Sequence, residues 1–322
     1  MLRVFTNNEK SFLGDGVWGA LPIGDTAREA AVRPEPAPLP VRRVGVVGSG
    51  TMGGGIVELC ALRGLDVRLA VSRESSLVSA PRRLAASLDR GVAKGRLSGA
   101  ERDAALSRVS VTADLGDLSD RQLVIEAVPE DEELKLDLFA TLDKVVDTDA
   151  LLASTTSAIT ITRLARATAH PGRVIGIHFF NPVVSLPLVE LVPTLLTDPG
   201  VLRRAEAFVA ETLGKDPIPA GDRSGFVVNA LLVPYLLSAV RMVESGFASV
   251  EHVDRGMERG CAHPMGPLRL CDLIGLDVVA AAADSLYQEF KEPLYAPPSL
   301  LSRMVESGLL GRKTGRGFYA YA

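Results

Sequence analysis

Six residues constrain this chain more than any others: Gly48-Ser49-Gly50-Thr51-Met52-Gly53. The apolar run Val44–Val47 leads into them, and an amphipathic stretch from Ile56 to Arg63, stopped by Gly64, leads away. A GxGxxG spacing alone is a weak signal. Between a strand and a helix, inside a strand–helix–strand unit, it becomes specific. Gly48 permits the tight turn, Gly50 lets the backbone approach a pyrophosphate, and Gly53 lets helix and sheet pack closely. The helix amino terminus then faces the phosphates. Gly48, Gly50, Thr51, Met52 and Gly53 are therefore expected to hold a dinucleotide, and the chain to build an open parallel sheet.

The pattern further along agrees. Val67–Val71 reads as the next strand, and a long helical region runs from Pro81 to about Arg108. Val109–Val111 and Leu123–Val128 are two more strands, and Glu132–Val146 is helical. Leu151–Ala153 and Val174–Ile177 complete the parallel set. Repeated units of this kind place helices on both faces of the sheet. After Asp222 the pattern turns wholly helical: Phe226–Glu244, Val250–Arg259, Leu268–Phe290 and Ser299–Glu306. The expected fold class is α/β, a Rossmann-type doubly wound sheet domain (residues 41–222) followed by an all-helical C-terminal domain (residues 223–322). The apolar content of the second domain points to a homodimer contact. Residues 1–40, rich in Gly, Ala and Pro and ending in a polyproline-type spacer, are expected to be a flexible extension.

With 322 residues, 47% hydrophobic, and a net charge of −4, the chain reads as a globular enzyme with no nucleic-acid partner. Three cysteines without a CxxC pair, and four scattered histidines, give no metal or disulfide framework. Phe226–Val240, the longest greasy stretch, is interrupted by Asn229 and Pro234 and is too short for a bilayer span. A cytoplasmic protein without a membrane partner is expected.

The chemistry gathers around His178-Phe179-Phe180-Asn181-Pro182. The preceding strand places His178 at its carboxyl end, where open parallel sheets present their ligands. A histidine oriented by a carboxylate is a general base for a hydroxyl proton. Glu190 lies in the apolar run Leu188-Val189-Glu190-Leu191-Val192, which argues for a partly buried, paired group. A nicotinamide cofactor beside such a base means hydride transfer.

The end of the second strand departs from the pattern for NAD. NAD binders usually place Asp or Glu there for the ribose 2′-hydroxyl. This chain has Leu69-Ala70-Val71-Ser72-Arg73. Ser72 and Arg73 suit a 2′-phosphate, so within NAD(P) the sequence favours NADP over NAD.

Further landmarks are Val124-Ile125-Glu126-Ala127, Ala153-Ser154-Thr155-Thr156-Ser157, Gly225-Phe226-Val227-Val228-Asn229, His263-Pro264-Met265-Gly266-Pro267-Leu268 and Gly311-Arg312-Lys313-Thr314-Gly315-Arg316-Gly317-Phe318-Tyr319. With the glycine turn and the His178 motif, these resemble the short-chain L-3-hydroxyacyl-CoA dehydrogenase family, including 3-hydroxybutyryl-CoA dehydrogenases. The resemblance runs from about Arg43 to Tyr321. It implies oxidation of a short 3-hydroxyacyl-CoA, with His178 as base and Glu190 as its partner. Ser157 and Asn229 match the donors to the substrate oxygen. Glu130 and Lys135 match contacts to the nicotinamide-side ribose, and Asn181 and Lys313 further cofactor contacts. Ser87 and Lys94 match contacts to the coenzyme A portion. Three positions depart from the family: Val71 replaces the second-strand acid, Thr155 an asparagine, and Pro129 stiffens the approach to Glu130.

Other readings keep the fold. The same chemistry could act on an acyl carrier protein in polyketide precursor supply, since both carriers share phosphopantetheine. A free hydroxy-acid dehydrogenase resembling L-gulonate dehydrogenases is a second alternative. A non-catalytic, cofactor-binding structural dimer is a third, against which the set Ser157, His178, Glu190 and Asn229 speaks.

Overall fold

The computed structural model describes residues 40–321. The expectation of a flexible extension at residues 1–40 therefore falls almost wholly outside the described residues. Eight strands form one sheet in the order β3-β2-β1-β4-β5-β6-β7-β8. The first six are β1 (Arg43–Val47), β2 (Asp66–Ala70), β3 (Val109–Thr112), β4 (Leu123–Glu126), β5 (Leu151–Ser154) and β6 (Val174–Phe179). All six run parallel. β4, β5 and β6 are buried along their whole length. Their sequences accordingly read as continuous apolar runs rather than as alternation.

Helices cover both faces. On one, α1 (Thr51–Leu62), α2 (Glu74–Ala93), α3 (Gly99–Ser107) and α6 (Pro199–Ala207) surround a core containing Val46, Ile56, Leu59, Leu88, Ile125 and Phe208. On the other, α4 (Glu132–Val145) and α5 (Ile161–Arg166) pack over Val124, Phe139, Leu142, Leu152 and Leu164. A third core belongs to α7 (Val228–Glu244), α8 (Val250–Gly260), α9 (Pro267–Ile274), α10 (Leu276–Phe290) and α11 (Ser299–Glu306). Among the described residues, no helix is long and apolar enough to cross a membrane.

Two strands extend the sheet beyond the parallel set read from the sequence. β7 (Leu188–Pro193) returns antiparallel to β6, and β8 (Asp216–Pro219) pairs with β7 alone at the sheet edge. Prolines flank or interrupt both, which suits β8 because an edge strand tolerates missing ladder donors. The helical region expected over Pro81–Arg108 begins earlier, at Glu74, and is broken at Gly95, whose φ is +67°. Pro81 lies inside α2, and Ser98 restarts the chain with a capping box to Glu101. Gly275, at φ +106°, likewise divides the helix expected over Leu268–Phe290 into α9 and α10.

The helical domain is tied together by two buried aspartates. Asp254 accepts hydrogen bonds from the Leu268 and Arg269 amides and from the Tyr319 hydroxyl. Asp272 accepts from the Phe318 and Tyr319 amides and the Tyr321 hydroxyl. The closing segment around Gly317 is thus fixed by α9, which gives the C-terminal landmarks a structural reason.

Candidate active site

The antiparallel return of β7 sets His178 directly opposite Glu190 in the strand register. Residues facing each other across such a pair share one face of the sheet. His178 Nδ1 lies 2.7 Å from Glu190 Oε2. Glu190 Oε1 accepts the backbone N–H groups of Val227 at 3.0 Å and Val228 at 2.9 Å. No side chain of its own helix caps the start of α7, so Glu190 does so from across the sheet.

Glu190 is 0% exposed. Burial pushes its pKa up. The His178 hydrogen bond, the Val228 amide, the histidine's charge and the Val227 amide outweigh that and hold it below the usual carboxylate value. An ionised carboxylate can only accept, so Nδ1 must carry the proton that joins the pair. With a proton on Nδ1, the other ring nitrogen, Nε2, is left as the site that can exchange a proton with a ligand, and it has no hydrogen-bond partner among the described residues.

His178 is 5% exposed, with Phe180 at 4.7 Å and Phe226 at 5.3 Å between ring centroids. Phe226 holds a φ of +46°, a conformation that costs a bulky residue about 1–2 kcal/mol. That geometry sets its ring against the histidine one turn before Asn229.

A cleft of about 2240 Å³ runs from the glycine turn past this pair. Ser157, Asn229, Asn181, Glu130, Lys135, Ser72, Arg73, Ser87 and Lys94 line it. Lys313 does not. It pairs instead with Asp277 at the start of α10, 2.6 Å from Oδ2, and it is Asp277 that lines the cleft. Nor do His178 and Glu190 line it, whereas Asn181 and Pro182, shortly after His178 in the chain, and Asn229, next to the amides that Glu190 accepts, do. Thr155 faces the cleft, and its hydroxyl accepts the Phe179 amide at 3.4 Å.

One buried carboxylate was not singled out from the sequence. Glu126, at the end of β4, is fully buried and accepts Lys135 Nζ at 2.6 Å, the Ser154 hydroxyl at 2.6 Å and the Val128 amide at 2.7 Å. Lys135 also bridges to Glu130 at 3.2 Å. Glu130 in turn accepts the Thr156 hydroxyl and the amides of Ser157 at 3.2 Å and Ala158 at 3.1 Å. Lys135 and Glu130 thus border the cleft with their charges already engaged, and together they fix the loop carrying Ser157. A buried acid at a strand end nine residues before a lysine was the available signal.

Lys215 plays a similar part on the other side. Its ammonium donates to the carbonyls of Val183 at 2.8 Å, Val184 at 3.0 Å and Leu186 at 2.6 Å. These carbonyls lie on the loop between β6 and β7 that also carries Asn181. Burial, with Arg63 nearby, lowers the Lys215 pKa. Cys60 is buried, which pushes its thiol up to about 12, and none of the three cysteines borders the cleft.

The glycine turn fits a dinucleotide. Gly48 has a φ of +107°, and a Cβ there would lie 2.4 Å from the Ala127 carbonyl. A Cβ on Gly53 would lie 1.9 Å from the Gly48 carbonyl. Both glycines are required by the protein's own packing. Around Gly50 a Cβ would meet nothing within 4 Å, so no packing demands a glycine there. The open side is where a pyrophosphate approaches. Helix α1 opens beside it with no acidic residue in its first turn, leaving its positive end unopposed.

Fold and site together define a dinucleotide-dependent oxidoreductase. The description "3-hydroxyacyl-CoA dehydrogenase, NAD binding domain" matches residues 43–223, and "3-hydroxyacyl-CoA dehydrogenase, C-terminal domain" matches residues 225–321. The 3-hydroxybutyryl-CoA dehydrogenase of Mycobacterium tuberculosis (strain H37Rv) is 57% identical over 282 residues, 87% of this chain and 99% of the relative. The crystal structure of M. tuberculosis FadB2 superposes with a TM-score of 0.87 at 57% identity, covering 88% of this chain and 100% of that one. The (S)-3-hydroxybutyryl-CoA dehydrogenase PaaH1 of Ralstonia eutropha gives a TM-score of 0.83 at 42% identity, over 88% of this chain and 99% of that one. The chain belongs to the 3-hydroxyacyl-CoA dehydrogenase family. It is an enzyme that uses NAD(P).

Proposed function

We propose that the chain interconverts a short-chain 3-hydroxyacyl-CoA and its 3-oxoacyl form, with His178 as general acid and base. The observation that carries this reading is the 2.7 Å bond between His178 Nδ1 and Glu190 Oε2, which leaves Nε2 free to take a proton. The bound nicotinamide supplies the hydride acceptor or donor. In oxidation, Nε2 takes the 3-hydroxyl proton as hydride leaves C3. In reduction it returns that proton to the oxygen. Glu190 holds the ring and stabilises the imidazolium. The same carboxylate anchors the first amides of α7, so it also sets the position of Asn229. Ser157 and the Asn229 amide donate to the charge that develops on the substrate oxygen, with Ser157 held by the Glu130 and Lys135 network.

Ser87 and Lys94 serve the coenzyme A portion, and Asn181 the cofactor. Lys313 acts on the cofactor only indirectly, through Asp277. Residues 41–222 hold the cofactor and residues 223–322 complete the substrate site. Exposed apolar side chains on and beside α7 and α10, among them Leu231 (72%), Phe247 (77%) and Val278 (51%), support a homodimer. The cytoplasm is the proposed location. Ser72 and Arg73 line the cleft beyond β2, no acid stands at the strand end, and Glu74, after the turn, is not among the lining residues; this supports a preference for NADP(H).

A steady-state assay of acetoacetyl-CoA with NADH and NADPH in parallel tests the reading. Turnover of the thioester, faster with NADPH, is expected. Equal turnover of free acetoacetate would transfer the assignment to hydroxy-acid chemistry. Turnover of the carrier-protein thioester alone would replace the carrier.

A further inference from the structure

Helix α2 sends one side chain back across the cleft to the glycine turn. Arg83 NH2 donates to the Ser49 carbonyl at 2.9 Å and lies 3.2 Å from the Ser49 hydroxyl. Its NH1 donates to the Ser79 hydroxyl at 3.0 Å. The contact joins residues 34 positions apart and ties α2 to the second residue of the glycine motif.

The corner it reaches is defined by the sheet. β1 and β2 are parallel neighbours, and the Gly48 amide bonds to the Ala70 carbonyl at 2.9 Å. Ser49 therefore sits beside the chain leaving β2, which carries Val71, Ser72 and Arg73. Ser49, Ser72, Arg73, Ser76 and Arg83 all line the cleft. The side chain of Arg73 makes no hydrogen bond or ion pair among the described residues. Among the described residues Arg83 is bonded only to a carbonyl and two hydroxyls, so its positive charge has no counter-charge among them. The ribose 2′ position of a dinucleotide falls beside the chain that leaves the second strand, and both guanidinium groups belong to the cleft that this chain lines. A carboxylate here would repel a phosphate. Val71 occupies the position where it would stand.

We infer that Arg83 is a specificity-determining residue that forms, with Arg73, a two-sided clamp for the 2′-phosphate of NADP(H). This rests on the cofactor preference proposed above and deepens it. The two arginines belong to different turns of one helix, Arg73 at the residue that precedes α2, three positions past β2, and Arg83 in its third turn. The Ser49 and Ser79 bonds fix the Arg83 fork in advance, so little side-chain freedom is lost when the phosphate arrives. The remaining N–H groups of the fork make charge-assisted hydrogen bonds to it.

The test is direct binding to the full chain, read from nicotinamide fluorescence for NADPH and NADH and from calorimetry for adenosine 2′,5′-bisphosphate and ADP. Wild type is expected to bind the 2′-phosphorylated member of each pair more tightly. Arg83→Ala is expected to weaken NADPH and the bisphosphate by about ten-fold, with NADH and ADP within about two-fold. Arg83→Lys keeps the charge, loses the fork and falls between. Arg83 is exposed, and an unchanged thermal midpoint will show that the variant folds. Equal weakening of NADPH and NADH overturns the proposal and makes Arg83 a pyrophosphate or turn-holding residue. Unchanged binding of all four overturns it as well. A wild type that binds NADH at least as tightly as NADPH overturns the cofactor preference itself, before any variant is compared.

Discussion

At the strand pair β6 and β7, Glu190 engages both oxygens, three donors converge on it, and the ring it holds is covered by two aromatic side chains. At the corner between β2 and α2, the Arg73 side chain has no hydrogen-bond or ion-pair partner among the described residues, and Arg83 bonds only to neutral groups among them. The first region is buried and saturated. Any change there leaves a charge or an amide unsatisfied. The second is exposed, so a change there alters what binds and leaves the rest of the protein intact. The proposed base pair is locked into the sheet, while the proposed choice of cofactor rests on side chains free to vary.

The largest effect should come from the locked end. His178→Gln is expected to lower kcat by about 10²–10⁴-fold, with cofactor affinity measured by fluorescence unchanged. Turnover near wild type would break the contrast, because the saturated end would then not be the reacting end.

Glu190→Gln sharpens it, since two functions should fail together. About ten-fold or more is expected from kcat as the ring loses its anchor. About 1–3 kcal/mol is expected from stability in denaturant unfolding, because the Val227 and Val228 amides lose a charged acceptor. A loss of activity with full stability would separate the base from the helix cap.

The same carboxylate gives a pH dependence. Its folded pKa lies below the unfolded value, so the unfolded state binds the proton more readily. The stabilisation is complete above the ordinary glutamate value of about 4.3 and is lost as pH falls through the folded pKa. The stability gap between wild type and Glu190→Gln should therefore be constant near neutrality and narrow in acid. A gap that widened in acid would contradict the assignment.

The smallest effect belongs to the loop that joins the hairpin. Lys215→Met leaves the carbonyls of Val183, Val184 and Leu186 without their shared donor. About 1 kcal/mol should be lost from stability, read as a lower thermal midpoint, with the His178 chemistry retained.

Much of this could be read from the chain because the parallel strands are fully buried and the glycine turn has strict steric demands. The α/β class and the cofactor turn follow from those two facts, and the helical second domain from the change of pattern after Asp222. β7 and β8 escaped because Pro187, Pro193, Pro217 and Pro219 disguise them. Their absence hid how Glu190 comes to face His178, although its apolar setting pointed to a paired group. Glu126 and Lys215 escaped for another reason. The partners of Lys215 lie about thirty residues away on the hairpin loop, where spacing along the chain carries no trace of them, and for Glu126 the one trace was the lysine nine residues on. Arg83 reads as one more solvated helix arginine until its distance to Ser49 is known. Lys313, expected among the cofactor contacts, is held by Asp277 away from the cleft lining.

The opposition of His178 and Glu190 also has an arithmetic. Side chains along a strand alternate between faces, so partnership depends on odd and even. Deleting or inserting one residue between Phe180 and Pro187 shifts the count by one. Val189 or Leu191 would then stand where the acid belongs, and Glu190 would point to the opposite side of the sheet. Variation in the length of this hairpin should therefore be tolerated only in steps that restore its parity, whatever freedom its loop has in composition.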